Sequence, residues 1–189
     1  MVDRCFFVSS EHFNGNLVYS GTINGRNILP SLEKLSKFAV VYLKVKRLTI
    51  MAPKISSVQR CEMLELLSNI LDVELIEAAC PEVIKEVYSK ADYGVAFYDV
   101  LHNKVLKQNF PLKTLEYLAS DIIPIANDIP AHRELIQHGF KIIRLDNYSN
   151  IVQADPLFDV QQSKANNRRL VNRLDQYFTI NNDGKAGSI

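Results

Sequence analysis

The sequence predicts an α/β fold: a doubly wound parallel sheet of about six strands, with helices on both faces. Three observations predict it. Short apolar runs alternate with amphipathic helical stretches at the spacing of successive βαβ units. The runs are continuously apolar rather than alternating, as when both faces of a sheet are covered. Prolines open several of the helical stretches, and a glycine closes one of them.

The first strand is read at Leu17 to Gly21, and a helix follows from about Pro30 into the low forties, with Leu32, Leu35 and Phe38 on one side. Arg47 to Met51 is the second strand. Its helix begins near Ser57 and carries an apolar stripe of Val58, Cys61, Leu64, Leu67 and Leu71. Val73 to Ala78 is the third strand, after which Pro81 opens a helix with Val83, Ile84, Val87, Tyr88 and Ala91. Gly94 to Tyr98 is the fourth strand, with a loop through Gln108. The stretch "PLKTLEYLAS", Pro111 to Ser120, is a helix with Leu112, Leu115, Leu118 and Ala119 on one face. Ile122 to Ala126 is the fifth strand, Pro130 to His138 a helix stopped by Gly139, and Lys141 to Leu145 the sixth strand. A last helix spans Ser163 to Phe178, its apolar face made of Leu170, Val171, Leu174, Tyr177 and Phe178. The expected domain plan is an N-terminal segment over 1–15, the sheet domain over 16–160, a C-terminal helix over 161–178 and a frayed tail over 179–189.

Doubly wound sheets bind ligands outside the carboxyl ends of their strands, where the strand order reverses. In the order 3-2-1-4-5-6, strands one and four flank that reversal. The loop after Tyr19 and the helix start at Pro111 are therefore expected to face one crevice.

Bulk properties narrow the classes. The chain has 189 residues, 47% hydrophobic and 23% charged, an ordinary composition for one globular domain. Net charge is +1, so no global field points to nucleic acid, and no nucleic-acid partner is expected. Cys5, Cys61 and Cys80 lack metal-ligand spacing and read as reduced thiols in a cytoplasmic protein. Cys61, lying in the helical stripe, is expected in the core. Phe38 to Leu43 is apolar but too short to cross a bilayer.

Two segments carry chemistry. Lys113 and Glu116 lie three apart on the flank of a helix start. Helix N-termini favour anions, a lysine would add a charge for phosphate, and a carboxylate one turn in can accept two hydrogen bonds from a vicinal diol such as a ribose. A nucleotide needs both contacts. The plain alternative is a surface ion pair worth roughly a few tenths of a kcal/mol, and spacing alone favours it. The second segment is "YSGTINGR", Tyr19 to Arg26, where Gly21 and Gly25 allow close backbone approach to a diphosphate that Arg26 would neutralise. In isolation it reads more simply as a strand-to-helix turn with a solvated arginine. It holds neither GxGxxG nor a P-loop, so ordinary NAD binding and P-loop chemistry are unsupported. His12, His102, His132 and His138 show no zinc spacing. His102 falls in the loop at the expected ligand face, His138 suits a helix C-terminus, and Glu134 suits a helix start. No catalytic residue is assigned and no metal is expected.

Three stretches taken together extend this reading: "LVYSGTINGR", then "SKADYGVAFYD" from Ser89 to Asp99, then "NFPLKTLEYLASDIIPIANDIPAHREL" from Asn109 to Leu135. In this order they resemble the donor-binding C-terminal half of GT-B glycosyltransferases, specifically the large retaining group 1 family. The resemblance runs from about Leu17 to Asn147. It implies a Rossmann-like nucleotide-sugar-binding domain, one half of a GT-B enzyme. It implies that Glu116 holds the ribose, that the backbone from Phe110 through Pro111 and Leu112 to Lys113 surrounds the diphosphate, and that Arg26 and Lys113 are cations near it. Ala78 and Ala79 match the loop that cups the base. Two positions depart from the pattern: Gln108 stands where many members have a second acid, and Thr22 replaces an arginine after Gly21. Ala52 also replaces a usual glycine.

The function so implied is donor binding for transfer of a sugar from a nucleotide diphospho-sugar to a glycan or lipid-linked acceptor, with retention. No cofactor or metal is expected, since Arg26, Lys113 and helix dipoles would stabilise the leaving diphosphate. A GT-B enzyme has two domains and this length gives one. An acceptor domain outside the chain is therefore expected, with the chain alone an inactive fragment. The last helix or the Cys5 to Val8 strip is expected to face that domain. The resemblance suggests polysaccharide biosynthesis, in the cytoplasm or at a membrane surface. The competing readings are a non-catalytic nucleotide- or protein-binding module on the same fold, and a sugar-nucleotide epimerase of GT-B shape.

Overall fold

The computed structural model describes residues 13–23, 28–77, 79–97, 112–146, 150–153 and 159–182. Its elements are β1 (Asn16–Ser20), α1 (Ile28–Leu43), β2 (Arg47–Ala52), α2 (Ser57–Leu67), β3 (Asp72–Glu77), α3 (Pro81–Lys90), β4 (Tyr93–Ala96), α4 (Leu112–Ala119), β5 (Ile123–Asn127), α5 (Pro130–Gln137), β6 (Ile143–Asp146), β7 (Asn150–Gln153) and α6 (Val160–Asn182). They form one sheet in the order β3-β2-β1-β4-β5-β6-β7. The first six strands are parallel, with Val18 aligned to Thr49 on one side and to Gly94 on the other. The order therefore reverses between β1 and β4, as expected. The seventh strand was not expected; it pairs antiparallel to β6, with a register irregularity at Arg144 and Leu145.

The central strands contribute to two cores because their side chains alternate between faces. On one face, Leu17, Tyr19, Leu48, Ile50, Ile123 and Ile125 pack with Leu32, Leu35 and Phe38 of α1 and with Met63 and Leu67 of α2. On the other, Val18, Met51, Ala96 and Ala126 meet Tyr88 of α3, Tyr117 and Leu118 of α4, and Leu135 of α5. Burying each of the leucine, isoleucine, valine, phenylalanine and methionine side chains among them stabilises the fold by about 1.5–3 kcal/mol before entropy is counted.

The helix ends follow local chemistry. Gly139, at φ 92°, ends α5, and the Phe140 N–H reaches back to the Leu135 carbonyl at 3.1 Å. Lys44 takes the same left-handed role after α1, at φ 57°. The α2 stripe corrects the sequence reading: Cys61 is exposed, as are Val58 and Leu64. Leu67 and Leu71 are buried as expected, and Met63 joins them on the inward face. The rotation follows from the N-terminus of α2. Gln59 closes a capping box with Ser56 and also donates its Nε2 to the Ile23 carbonyl at 3.0 Å, so the Gln59 side must face the protein.

The last helix is longer than expected at both ends. Leu170 and Val171 pack on this domain's own second core rather than being left for another domain. The side chains of Leu174, Tyr177 and Phe178 lie outside the described residues. Its first turns are fixed at the amino end of the sheet. Lys164, 1% exposed, pairs at 2.8 Å with Oδ1 of Asp92, 0% exposed, in the turn before β4. The other oxygen of Asp92 accepts the backbone N–H groups of Asn14, Gly15 and Asn16 at 2.8, 2.7 and 3.2 Å. One carboxylate thus joins the entry to β1, the entry to β4 and α6. Asn167 adds two further bonds, to the N–H and C=O of Lys141.

Candidate functional site

At the carboxyl end of β1 the chain turns sharply. The Gly21 N–H continues the sheet to the Met51 carbonyl at 3.0 Å. The Tyr19 hydroxyl donates to the Thr22 carbonyl at 3.0 Å, and burial pushes its pKa up to about 12, so it remains a donor. Thr22 itself is exposed. Because Gln59 holds the next carbonyl, Ile23, the α2 cap and Tyr19 together fix the turn that presents Gly21 and Thr22.

Helix α4 begins at Leu112, across the reversal. Its buried face is Thr114, Tyr117, Leu118 and Ala119, whereas Leu112 is 66% exposed. The expected face was therefore off by part of a turn. A polar residue displaces the leucine because its hydroxyl is satisfied: Thr114 Oγ1 lies 2.8 Å from Nε2 of buried His132 on α5. The other ring nitrogen of His132 lies 2.8 Å from the Asn127 carbonyl, which can only accept. Nδ1 therefore carries the proton, and Nε2 accepts from Thr114. Burial holds the His132 pKa below its ordinary value, against smaller opposing effects of the Asn127 carbonyl and Asp128. Tyr117 packs so closely that a Cβ on Gly94 of β4 would lie 2.6 Å from its ring. Tyr88 and Tyr117 meet with ring centres 5.5 Å apart.

These contacts aim Lys113 and Glu116 at the crevice. Lys113 Nζ lies 2.6 Å from Glu116 Oε2 and 3.4 Å from the hydroxyl of Ser20, the last residue of β1. Tyr88, 1% exposed, lies behind them, near Lys113 and Ser20. The pair is 28% and 30% exposed, neither a free surface bridge nor a sealed one. Burial works against the Lys113 ammonium, but the Tyr88 hydroxyl and the Glu116 carboxylate outweigh it and raise its pKa. Burial likewise raises the Tyr88 pKa, against the neighbouring Lys113 charge.

The ends of β1 and α4 thus meet at one crevice. Of the sequence-derived candidates, Gly21, Thr22, Leu112, Lys113 and Glu116 stand on these two segments. Ala79 is half-buried after β3, packed against the second core. Arg26, Gln108, Phe110 and Pro111 lie outside the described residues, as does His102. Ser20 and Tyr88 were missed as site residues. Ser20 sits inside the quoted "YSGT" segment, but Tyr88 reads only as a core position on α3.

A second charged group lies beyond β5. Asp128 receives both Nε and Nη2 of Arg133, at 2.8 and 2.6 Å, and Nη1 of Arg144 at 3.0 Å. The Arg133 hydrogen bond holds the Asp128 carboxyl below its usual range. A cavity of about 210 Å³ lies toward the amino ends of β1 and β2, lined among others by Asn16, Arg47, Thr49, Glu74 and Lys90, away from the crevice. Among the described residues, no group of His, Cys, Asp or Glu is arranged to hold a metal ion. No helix among them is long and apolar enough to cross a membrane.

No protein-family model matches the sequence, and no curated protein matches it. Solved structures do share the fold. One is AviGT4, a glycosyltransferase involved in avilamycin A biosynthesis, at a TM-score of 0.59 and 12% identity; the match covers 94% of this chain and 55% of that one. Another is TarM, at a TM-score of 0.56 and 10% identity, covering 92% of this chain and 36% of that one. The chain shares its fold with part of each, spanning about half of the first structure and about a third of the second.

Proposed function

We propose that this domain binds the nucleotide diphospho-sugar donor of a glycosyltransferase at the crevice between β1 and β4. The observation that carries the reading is the half-buried Lys113–Glu116 pair at the sheet reversal, in contact with Ser20. The cation suits a diphosphate and the carboxylate a ribose diol, within one helical turn. Gly21 and Thr22 supply open backbone beside them, with Arg26, Gln108, Phe110, Pro111, Leu112 and Ala79 completing the donor set by resemblance. Lys113 remains charged at neutral pH, so it can stabilise a leaving diphosphate without a metal. Sugar transfer to a glycan or lipid-linked acceptor, with retention, then belongs to the complete enzyme with its acceptor domain.

The test is a titration of this chain with a panel of nucleotide sugars by ligand-observed NMR, beside Glu116→Ala. Binding by one base class, weakened about tenfold or more in the variant, is expected from losing hydrogen bonds to a charged group. A wild-type domain that binds no member of the panel would leave a non-catalytic module on this fold as the better account.

A further inference from the structure

Lys113 and Glu116 neutralise one another before any ligand arrives. An ammonium has three donors. Here the Glu116 carboxylate at 2.6 Å takes one and the Ser20 hydroxyl lies at 3.4 Å. An anion drawn to Lys113 must therefore displace an existing partner, and it arrives within a few ångströms of a carboxylate of its own sign. A diol drawn to Glu116 finds Oε2 already engaged. Either ligand alone leaves one half-buried charge without its partner.

We propose that the Lys113–Glu116 pair is a latch that selects ligands carrying an anionic group and a vicinal diol on one molecule over ligands carrying either alone. Such a ligand replaces both halves at once: the anion takes the ammonium and the diol takes the carboxylate. Neither charge is left unmatched in a partly desolvated site. Ser20 stays beside Lys113 when Glu116 lets go. The choice of nucleotide as that ligand rests on the donor reading above; the latch itself rests on the ion pair.

The latch predicts a gain of binding from a loss of charge. Inorganic pyrophosphate carries the anion without the diol. Glu116→Gln preserves shape and frees Lys113, so calorimetry should show pyrophosphate binding about fivefold tighter than in the wild type. The control is Glu33→Gln, which breaks a 2.6 Å pair with Lys37 on α1 and should leave pyrophosphate binding unchanged. Thermal melts establish that each variant is folded. Equal or weaker pyrophosphate binding by Glu116→Gln, including no measurable binding by either protein, overturns the latch. So does an equal gain in Glu33→Gln.

Titration of the same proteins with ADP, GDP, UDP and ribose 5-phosphate, each carrying an anion and a vicinal diol, separates the two ideas. A nucleoside diphosphate that binds the wild type and weakens in Glu116→Gln, with pyrophosphate unresponsive, retains the donor reading and removes the latch. Pyrophosphate tightening, with ribose 5-phosphate bound by the wild type more tightly than pyrophosphate but no nucleoside diphosphate bound, retains the latch and removes the donor reading; tightening with none of the anion–diol ligands preferred to pyrophosphate overturns the latch.

Discussion

His132 illustrates how one side chain orients the site without touching it. Its ring bridges Thr114 on α4 and the Asn127 carbonyl at the end of β5, so α4 cannot roll without breaking a buried bond. The depressed pKa carries a pH dependence. Below about pH 6.5 the unfolded chain takes up a proton that folded His132 refuses. Stability therefore falls as pH drops from there toward the folded value, and the contribution is complete above the window. Urea unfolding from about pH 7.5 to about pH 5.5 should show a steeper loss in the wild type than in His132→Gln. Equal slopes would remove His132 as the source. None of this was legible in the sequence, since residues 114 and 132 lie on different elements and carry no shared local pattern. Lys113 and Glu116 were legible because one helical turn brings them together whatever the tertiary structure does.

Elements were read best where packing and local pattern agree. The face of α1, with Leu32, Leu35 and Phe38 buried, is the expected one. The α2 and α4 faces were misjudged for one reason: polar residues with tertiary partners, Gln59 and Thr114, claim inward positions that hydrophobicity assigns to leucines. The short edge strand β7 was missed because four residues, "NIVQ", make too brief a period to separate from a loop. Helix α4 is also tied to β4 by an absence of side chain. Gly94 admits the Tyr117 ring, so Gly94→Ala must push a fully buried ring aside. A loss of about 1–3 kcal/mol is expected in chemical denaturation, with weaker ligand binding because α4 carries Lys113 and Glu116. An unchanged midpoint would mean that the ring relocates freely.

At the scale of the whole molecule, the strand order followed from the rhythm of the sequence, because parallel strands joined by right-handed crossovers leave few arrangements open. The proposed donor site and the Asp92 anchor lie at opposite ends of the strands. Lys113 and Ser20 meet at the carboxyl ends of the strands, while Asp92 and Lys164 meet at the amino ends. The sequence could not show the second meeting, since 72 residues separate its partners. Replacing Lys164 with Met leaves the Asp92 carboxylate buried without its cation and should cost about 3 kcal/mol. A double change with Asp92→Asn should recover part of that loss, and strict additivity of the two changes in denaturation would show the pair to be uncoupled. Asp92 also bears on the order of assembly. Its partners at residues 14–16 and 164 reach it only after two long loops have closed. A half-built domain that hid this carboxylate would lack one partner or the other, so such intermediates are penalised. Chain entry, central strand and final helix should therefore form and melt as a single cooperative unit.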